Sequence, residues 1–237
     1  MAKKQTRIGL IGSSGRLGSA IAHVVENELK DRARIIATFN RSNSVDLAKH
    51  AADVDVFVDV SLPAATETLI ADLLKRGATA PYVIGCTGWS ETQLKAVHNY
   101  AERTAVVLAP NFSPGVNLFL NLIEQAAPLM KKWGYDISVH ETHHTRKVDA
   151  PSGTAKAIVD RLGTAKAQIH STRAGNIVGT HEVRFVGAGD ILSLSHEALD
   201  RSIFARGAVM AAEWASRQVS PGLYSMKEVI IGATGEF

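Results

Sequence analysis

Cysteine is nearly missing: Cys86 stands alone in 237 residues. That excludes an intramolecular disulfide framework and makes a reducing cytoplasm the expected setting. Long apolar runs are missing too. No segment approaches the roughly 18 apolar residues that a membrane span requires, and MAKKQT lacks the apolar core of a signal peptide. Charge of one sign is scarce: 26 Lys and Arg against 23 Asp and Glu leave a net +3. The basic residues are scattered rather than gathered into the stripe of a nucleic-acid surface, so neither nucleic acid nor membrane is expected as a partner. Repeats and low-complexity segments are absent. What is present, 46% hydrophobic and 21% charged residues, suits a globular chain with a sizeable core.

The first half alternates strand-like and helix-like segments. Arg7 to Ile11, Ile35 to Phe39, Val54 to Val60, Tyr82 to Ile84 and Ala105 to Leu108 are short apolar runs. Between them lie helical spacings, with Leu17, Ile21, Val24 and Val25 on one side of the first, then Ala64–Arg76 and Glu91–Arg103. This alternation predicts a parallel sheet covered on both faces. After Asn111 the rhythm changes to one long apolar helix (Val116 to Lys132), a strand (Asp136–Glu141) and a helix (Ser152–Leu162). His181–Val186 and Ile191–His196 flank GAGD as a hairpin. Ser202 to Arg217 returns to helix, and SPGLYSMKEVI is expected to pack back on the first domain. The fold class is therefore α/β, a Rossmann-like domain with an inserted α+β domain that carries an open mixed sheet.

Gly12-Ser13-Ser14-Gly15-Arg16-Leu17-Gly18 sits where the first strand passes into the first helix. Glycine there lets the backbone turn tightly and brings N–H groups against a pyrophosphate. The spacing is GxxGxxG, weak by itself; a glycine turn that merely packs closely is the alternative, and the βαβ context favours the dinucleotide. At the end of the second strand, where NAD sites carry an acid, this chain has Asn40 and then Arg41. Asparagine removes a charge that would repel a 2′-phosphate, and arginine can grip one. NADPH is thus expected over NADH, although a solvated loop charge explains Arg41 equally well.

HETHHTRKVDAPSGTA, from His140 to Ala155, concentrates the remaining chemistry. On a strand, Ile137, Val139, Glu141 and His143 would share one face and Ser138, His140, Thr142 and His144 the other. His143 and His144 reach one cleft only if the strand ends near them. Lys147 follows in the loop. Pro151 is expected in the first turn of the next helix, whose free N–H groups form an anion site. The set describes a pocket for a small dianion, with a histidine able to give a proton near neutral pH. A metal on Glu141, His143 and His144 is the rival reading. HEXXH is absent and adjacent strand histidines chelate one ion poorly, so no metal is expected. Glu141 alone reads as an ion-pair or hydrogen-bond partner, and His196 and Arg201 as structural.

ETHHTRKVDAPSGTA resembles the E-x-H-H-x-x-K-x-D-x-P-S-G-T-A signature of the 4-hydroxy-tetrahydrodipicolinate (dihydrodipicolinate) reductase family. The likeness continues through IGSSGRLG, IGCTGWS, APNFSPGVN, TRAGNIVGTHEVRF and SIFARGAVMAAEW. It implies reduction of a cyclic unsaturated dicarboxylate by NADPH or NADH in the diaminopimelate route to lysine. It also implies a dinucleotide-binding domain over 1–112 and 215–237, and a domain over 113–214 that binds substrate and assembles a homotetramer. By the same resemblance His143 is the proton donor, His144 a substrate contact, and Lys147 a substrate ligand that assists protonation. Gly153 and Thr154 hold a substrate carboxylate, and Gly12 to Leu17 contact the cofactor phosphates. Gly85, Cys86 and Thr87, with Pro110, Asn111, Phe112 and Ser113, line the nicotinamide end and the domain junction.

The chain departs from the family pattern at Asn40, at Cys86 in place of threonine, at Pro110 in place of alanine, and in a short Leu162–Arg173 connection. Another Rossmann reductase of a small amino or imino acid, or a non-catalytic NADPH sensor, are the competing functions.

Overall fold

The computed structural model describes residues 5–40, 50–164 and 167–232; Arg41 lies outside them. The chain divides into two compact units, Met1–Pro114 with Ser202–Phe237, and Gly115–Arg201.

The first unit holds β1 (Thr6–Ile11), α1 (Arg16–Asn27), β2 (Ala33–Phe39), β3 (Val56–Asp59), α2 (Pro63–Lys75), β4 (Tyr82–Ile84), α3 (Glu91–Ala101) and β5 (Ala105–Leu108). After the second unit come α6 (Ser202–Ala215), β10 (Gly222–Tyr224) and α7 (Met226–Gly232). All strand pairings are parallel, in the order β10-β5-β4-β3-β1-β2. Strands such as β3, buried at every position, need cover on both faces. One face packs Ile8, Val58 and Val107 against Ile21 and Val24 of α1 and Ala208 and Val209 of α6. The other packs Phe57, Tyr82 and Ile84 against Ile70 and Leu73 of α2 and Val97 of α3. Local signals match: Ser90 and Gln93 form a capping box at the start of α3, and Pro63 opens α2.

The structure departs from the expected 113–214 boundary at α6, which belongs to the first unit. This helix is buried nearly all round, and Glu213 pairs with Arg32 at the end of the α1–β2 connection. Gly207 permits the approach, because a Cβ there would lie 1.9 Å from the Phe112 carbonyl oxygen. An all-round apolar pattern says that a helix is buried, not which domain buries it.

The second unit runs α4 (Pro114–Lys132, its first residue at the boundary), β6 (Asp136–His143), α5 (Gly153–Leu162), β7 (Gln168–Arg173), β8 (Gly179–Val186) and β9 (Ile191–Ala198). Its sheet has the order β7-β6-β8-β9, with β6 and β7 parallel and the other pairs antiparallel. Phe119 and Ile123 of α4 and Ile158 and Leu162 of α5 cover Val139, Val183 and Phe185 on one face. Val186 pairs with Ile191, which makes GAGD the expected hairpin turn. The strand β7 was not foreseen. Among the described residues no helix is long and apolar enough to cross a membrane.

Candidate active site

The parallel sheet reverses its strand order between β3 and β1, the place where open α/β sheets leave a crevice for a ligand. The Gly12–Gly18 turn lies there. Gly12 has φ of 79°, and a Cβ on it would meet the Ser61 nitrogen at 2.9 Å. A Cβ on Gly18 would lie 2.2 Å from the Gly12 carbonyl oxygen, so the helix packs on the turn only because that position is bare. Gly15 is the N-cap of α1 and supplies no side-chain cap. The first-turn amides of α1 thus have no side-chain acceptor at an end that carries partial positive charge. Ser14, Gly15 and Arg16 are exposed beside it, and Leu17 is half-buried. Three amides are committed elsewhere: those of Gly12 and Ser13 donate to the Phe39 carbonyl at 2.9 and 3.2 Å, and that of Gly15 donates to the Gly12 carbonyl at 3.0 Å. A glycine cradle with an open helix end fits a dinucleotide pyrophosphate. Asn40 follows β2 at the same edge, half-buried.

The other expected cofactor residues divide by where their side chains go. Thr87 and Pro110 are exposed, and Gly85 and Asn111 half-buried. Cys86 turns inward, with Sγ 3.3 Å from Thr66 Oγ1, and burial pushes its thiol up to about 12. It is an inert core thiol, so only its backbone is available to a ligand. Phe112 is likewise core, its ring so close under Gly85 that a Cβ there would meet it at 2.3 Å. Ser113 is buried, and its amide donates to Asn111 Oδ1 at 2.8 Å. The side chains of Cys86 and Phe112 pack into the core, which leaves the backbone of both residues to face a ligand.

In the second unit the alternation holds: Val139, Glu141 and His143 are buried on one face of β6, and the strand ends at His143. Sheet register then sets the neighbours. Glu141 lies opposite His181 on β8, His181 opposite His196 on β9, and His143 beside Arg173 on β7. Gly179 on β8 leaves room for the His143 ring; a Cβ there would be 3.0 Å from Nε2. The Glu141 carboxylate, 1% exposed, accepts from Arg173 Nη2 at 2.9 Å and from the Ser152 amide at 3.2 Å through Oε1. Its Oε2 stands 2.8 Å from His143 Nδ1, a contact too bent to count as an aligned hydrogen bond. Burial alone would raise the Glu141 pKa, but hydrogen bonds from Ser171, Ser152 and Arg173 outweigh it and bring it to about 2.

His144 accepts at Nε2 from Arg201 Nη2, 3.2 Å away, since a guanidinium can only donate. Lys147 pairs with Asp149 at 2.7 Å. The Ala150–Pro151 bond is cis and Pro151 precedes the cap. This corrects the expectation that it occupies the first helical turn. Ser152 is the N-cap, its Oγ accepting from the Ala155 amide at 3.1 Å and lying 3.2 Å from His181 Nε2. The Gly153 and Thr154 amides occupy the first turn of α5, where no intrahelical acceptor exists. Burial lowers the pKa of His143, of His144 and of His181, the last to about 4, and Lys147 pushes each of them the same way.

Glu141, His143 and His181 bring one donor atom each within 4.8 Å of one another, near enough to surround a small cation. Arg173 on the carboxylate and Lys147 acting on both imidazoles oppose that use. The local charge suits an anion. The sequence reading did not single out Arg173, His181, the bond from the Ser152 amide to Glu141 or the contact of Arg201 with His144. It also passed over Asp59, fully buried at the end of β3. Asp59 accepts from the Ser61 amide at 2.9 Å and from Thr66 Oγ1 and Tyr82 Oη at 2.8 Å each, and so shapes the loop beside Gly12. An acid closing an apolar strand, in VFVDVS, was the available signal.

Comparison with known proteins covers both units of the chain. The family model for the N-terminus of dihydrodipicolinate reductase matches residues 6–112, and that for the C-terminus matches 115–230. A 4-hydroxy-tetrahydrodipicolinate reductase of Halorhodospira halophila is 37% identical, the match covering 94% of this chain and 98% of the relative. One from Bdellovibrio bacteriovorus is 33% identical over 97% of this chain and 98% of its own. Among solved structures, a dipicolinate-bound dihydrodipicolinate reductase from Paenisporosarcina sp. TG-14 superposes with a TM-score of 0.80. It is 22% identical, over 94% of this chain and 98% of that one, and shows the shared fold. The glycine turn and the histidine-bearing strand thus sit in two domains that each match the same enzymes, and the chain belongs to the dihydrodipicolinate reductase family.

Proposed function

We propose that this oxidoreductase reduces 4-hydroxy-tetrahydrodipicolinate to tetrahydrodipicolinate with NADPH in preference to NADH, using His143 as proton donor and Lys147 as substrate ligand. The observation that carries the assignment is the cluster of proton-giving and cationic side chains in the second unit. A histidine against a buried carboxylate, a lysine and a helix N-terminus whose Gly153 and Thr154 amides have no intrahelical acceptor lie within one β–loop–α passage. When bound, the nicotinamide supplies the hydride.

The chain supplies the rest. The amides of Gly153 and Thr154 and the ammonium of Lys147 hold substrate carboxylate, with Lys147 leaving its exposed partner Asp149 to do so. Such a pair contributes only about 0–1 kcal/mol, so exchanging it for a substrate carboxylate costs little. His144, kept neutral by burial and by Arg146 and Arg201, presents a hydrogen-bonding edge rather than a second charge. His143 gives its proton to the ring as charge builds there, and the positioned acid contributes about 10²–10⁴-fold. The Gly12–Leu17 turn and Asn40 hold the dinucleotide, with backbone contacts from Gly85, Cys86, Thr87 and 110–113. Asn40 supports NADPH because it leaves no carboxylate to repel a 2′-phosphate. A homotetramer in the cytoplasm belongs to the same proposal; the exposed Ile191 and Leu192 on β9 support assembly through the open sheet.

The test is oxidation of NADPH and of NADH with freshly generated substrate by wild type, His143→Ala and Lys147→Ala. Turnover should fall about 10²-fold or more in both variants while NADPH affinity stays within about twofold. Turnover like wild type in both variants would remove the assigned roles.

A further inference from the structure

The geometry points to Glu141 as the positioning residue of this site: it holds His143 in the tautomer with Nδ1 protonated, leaving Nε2 to exchange the proton, and ties that ring to the amides of α5. This rests on His143 being the proton donor proposed above. A carboxylate with 1% exposure is costly unless every lone pair is used. Oε1 is used, by Arg173 and Ser152, and Ser171 also stands by the carboxylate; Oε2 faces His143 Nδ1 at 2.8 Å and makes no other aligned hydrogen bond. An ionised carboxylate only accepts, so the hydrogen belongs on Nδ1. A turn of the ring about χ2 would align the contact, and Gly179, where a Cβ would stand 3.0 Å from Nε2, sets no side chain against the ring.

The second half of the inference concerns Ser152. Its amide donates to Glu141 Oε1, its Oγ caps α5, and that same oxygen touches His181 Nε2 at 3.2 Å. One carboxylate therefore fixes both the proton donor and the start of the helix whose amides receive the anion. Arg173 adds a third tie, since it also donates to the Asp149 carbonyl in the loop that carries Lys147. The charged and titratable groups facing His143 are Glu141 on its own strand, Arg173 on β7, His181 on β8 and Lys147 from the loop. Of these only Glu141 favours the protonated ring.

Glu141→Gln tests the inference. The amide oxygen can keep Arg173 and Ser152, while the amide NH₂ now donates to Nδ1 and moves the neutral ring's hydrogen to Nε2. In ¹⁵N-histidine-labelled protein above the His143 pKa, long-range ¹H–¹⁵N spectra should show Nδ1–H in wild type and Nε2–H in the variant. The kcat should fall about 10–100-fold with KM for NADPH within about twofold. The basic limb of the kcat–pH profile should move to lower pH, because a negative charge that favoured the imidazolium is gone. A variant kcat–pH profile that superimposes on wild type, or a wild-type ring with Nε2–H, overturns the inference. The wild-type spectrum decides even if the Gln variant does not fold. An Nδ1–H ring in a protein that leaves the dicarboxylate unreduced would instead refute the proposed reaction and not the positioning.

Discussion

His181→Gln should make the protein less sensitive to acid. His181 is 4% exposed, between Ser152, His143 and His196, and burial first, then the charge of His143, lowers its pKa to about 4. The unfolded chain returns it to its ordinary 6.5. As pH falls below 6.5 the unfolded state therefore takes a proton that the folded state refuses. The stabilisation is complete above pH 6.5 and is lost as pH drops towards 4. At about 1.4 kcal/mol per pH unit, that window is worth about 3 kcal/mol. Glutamine places an amide near the position of Nε2, keeps a partner for Ser152 Oγ and removes the titration. Urea unfolding followed by circular dichroism at pH 7 and pH 4.5 gives the comparison, with the slope checked for constancy. Wild type should lose more stability than the variant across that interval, by about 2–3 kcal/mol. His143, His144 and His196, whose pKa values are also lowered, remain in both proteins, so the difference isolates His181. Equal losses in the two proteins would show that His181 takes its proton as readily folded as unfolded, and the reasoning from burial would fail.

Gly18→Ala puts a methyl 2.2 Å from the Gly12 carbonyl oxygen, so the turn must shift; calorimetry should show NADPH binding weakened about tenfold or more, and unchanged affinity would mean that the turn does not cradle the cofactor. Gly207→Ala meets the Phe112 carbonyl at 1.9 Å and should destabilise the first unit by about 1–3 kcal/mol or more, read as a lower Tm; an unaltered Tm would contradict the close approach of α6. Arg41→Ala should raise KM for NADPH more than for NADH; equal effects would mean that this arginine does not read a 2′-phosphate.

Much of the fold was legible because its elements carry local patterns. Buried parallel strands are continuous apolar runs, and the helices between them place apolar residues at helical spacing. Tyr82–Ile84 and Ala105–Leu108 coincide with β4 and β5. QIHSTR failed to declare itself because β7 is an edge strand, exposed at four of its six positions, and offers almost no apolar alternation. The same polarity made the Leu162–Arg173 connection look merely short, when it contains a strand of the sheet. For α6 the local pattern was right and the address was not. Its alanines fit against α1 and the first sheet, and Gly207 against the Phe112 backbone, a fact about non-local packing that periodicity does not encode.

The site divides along the same line. ETHH on a strand announces through its alternation that Glu141 and His143 share a face, and the loop to Lys147 and the Ser152 cap follow within one short passage. His181 and Arg173 are distant in sequence and enter only through register. A slip of one residue in β8 would turn His181 to the other face and bring Thr180 or Glu182 opposite Glu141. A second carboxylate there would repel the first, and a threonine would leave Ser152 Oγ without its imidazole neighbour. The apolar residues Val183 and Phe185, which must face α4 and α5, forbid that slip. The core that stabilises the second unit thus also selects the register that assembles its polar row. Polar substitutions at Val183 or Phe185 should therefore disturb the histidine resonances as well as lower stability.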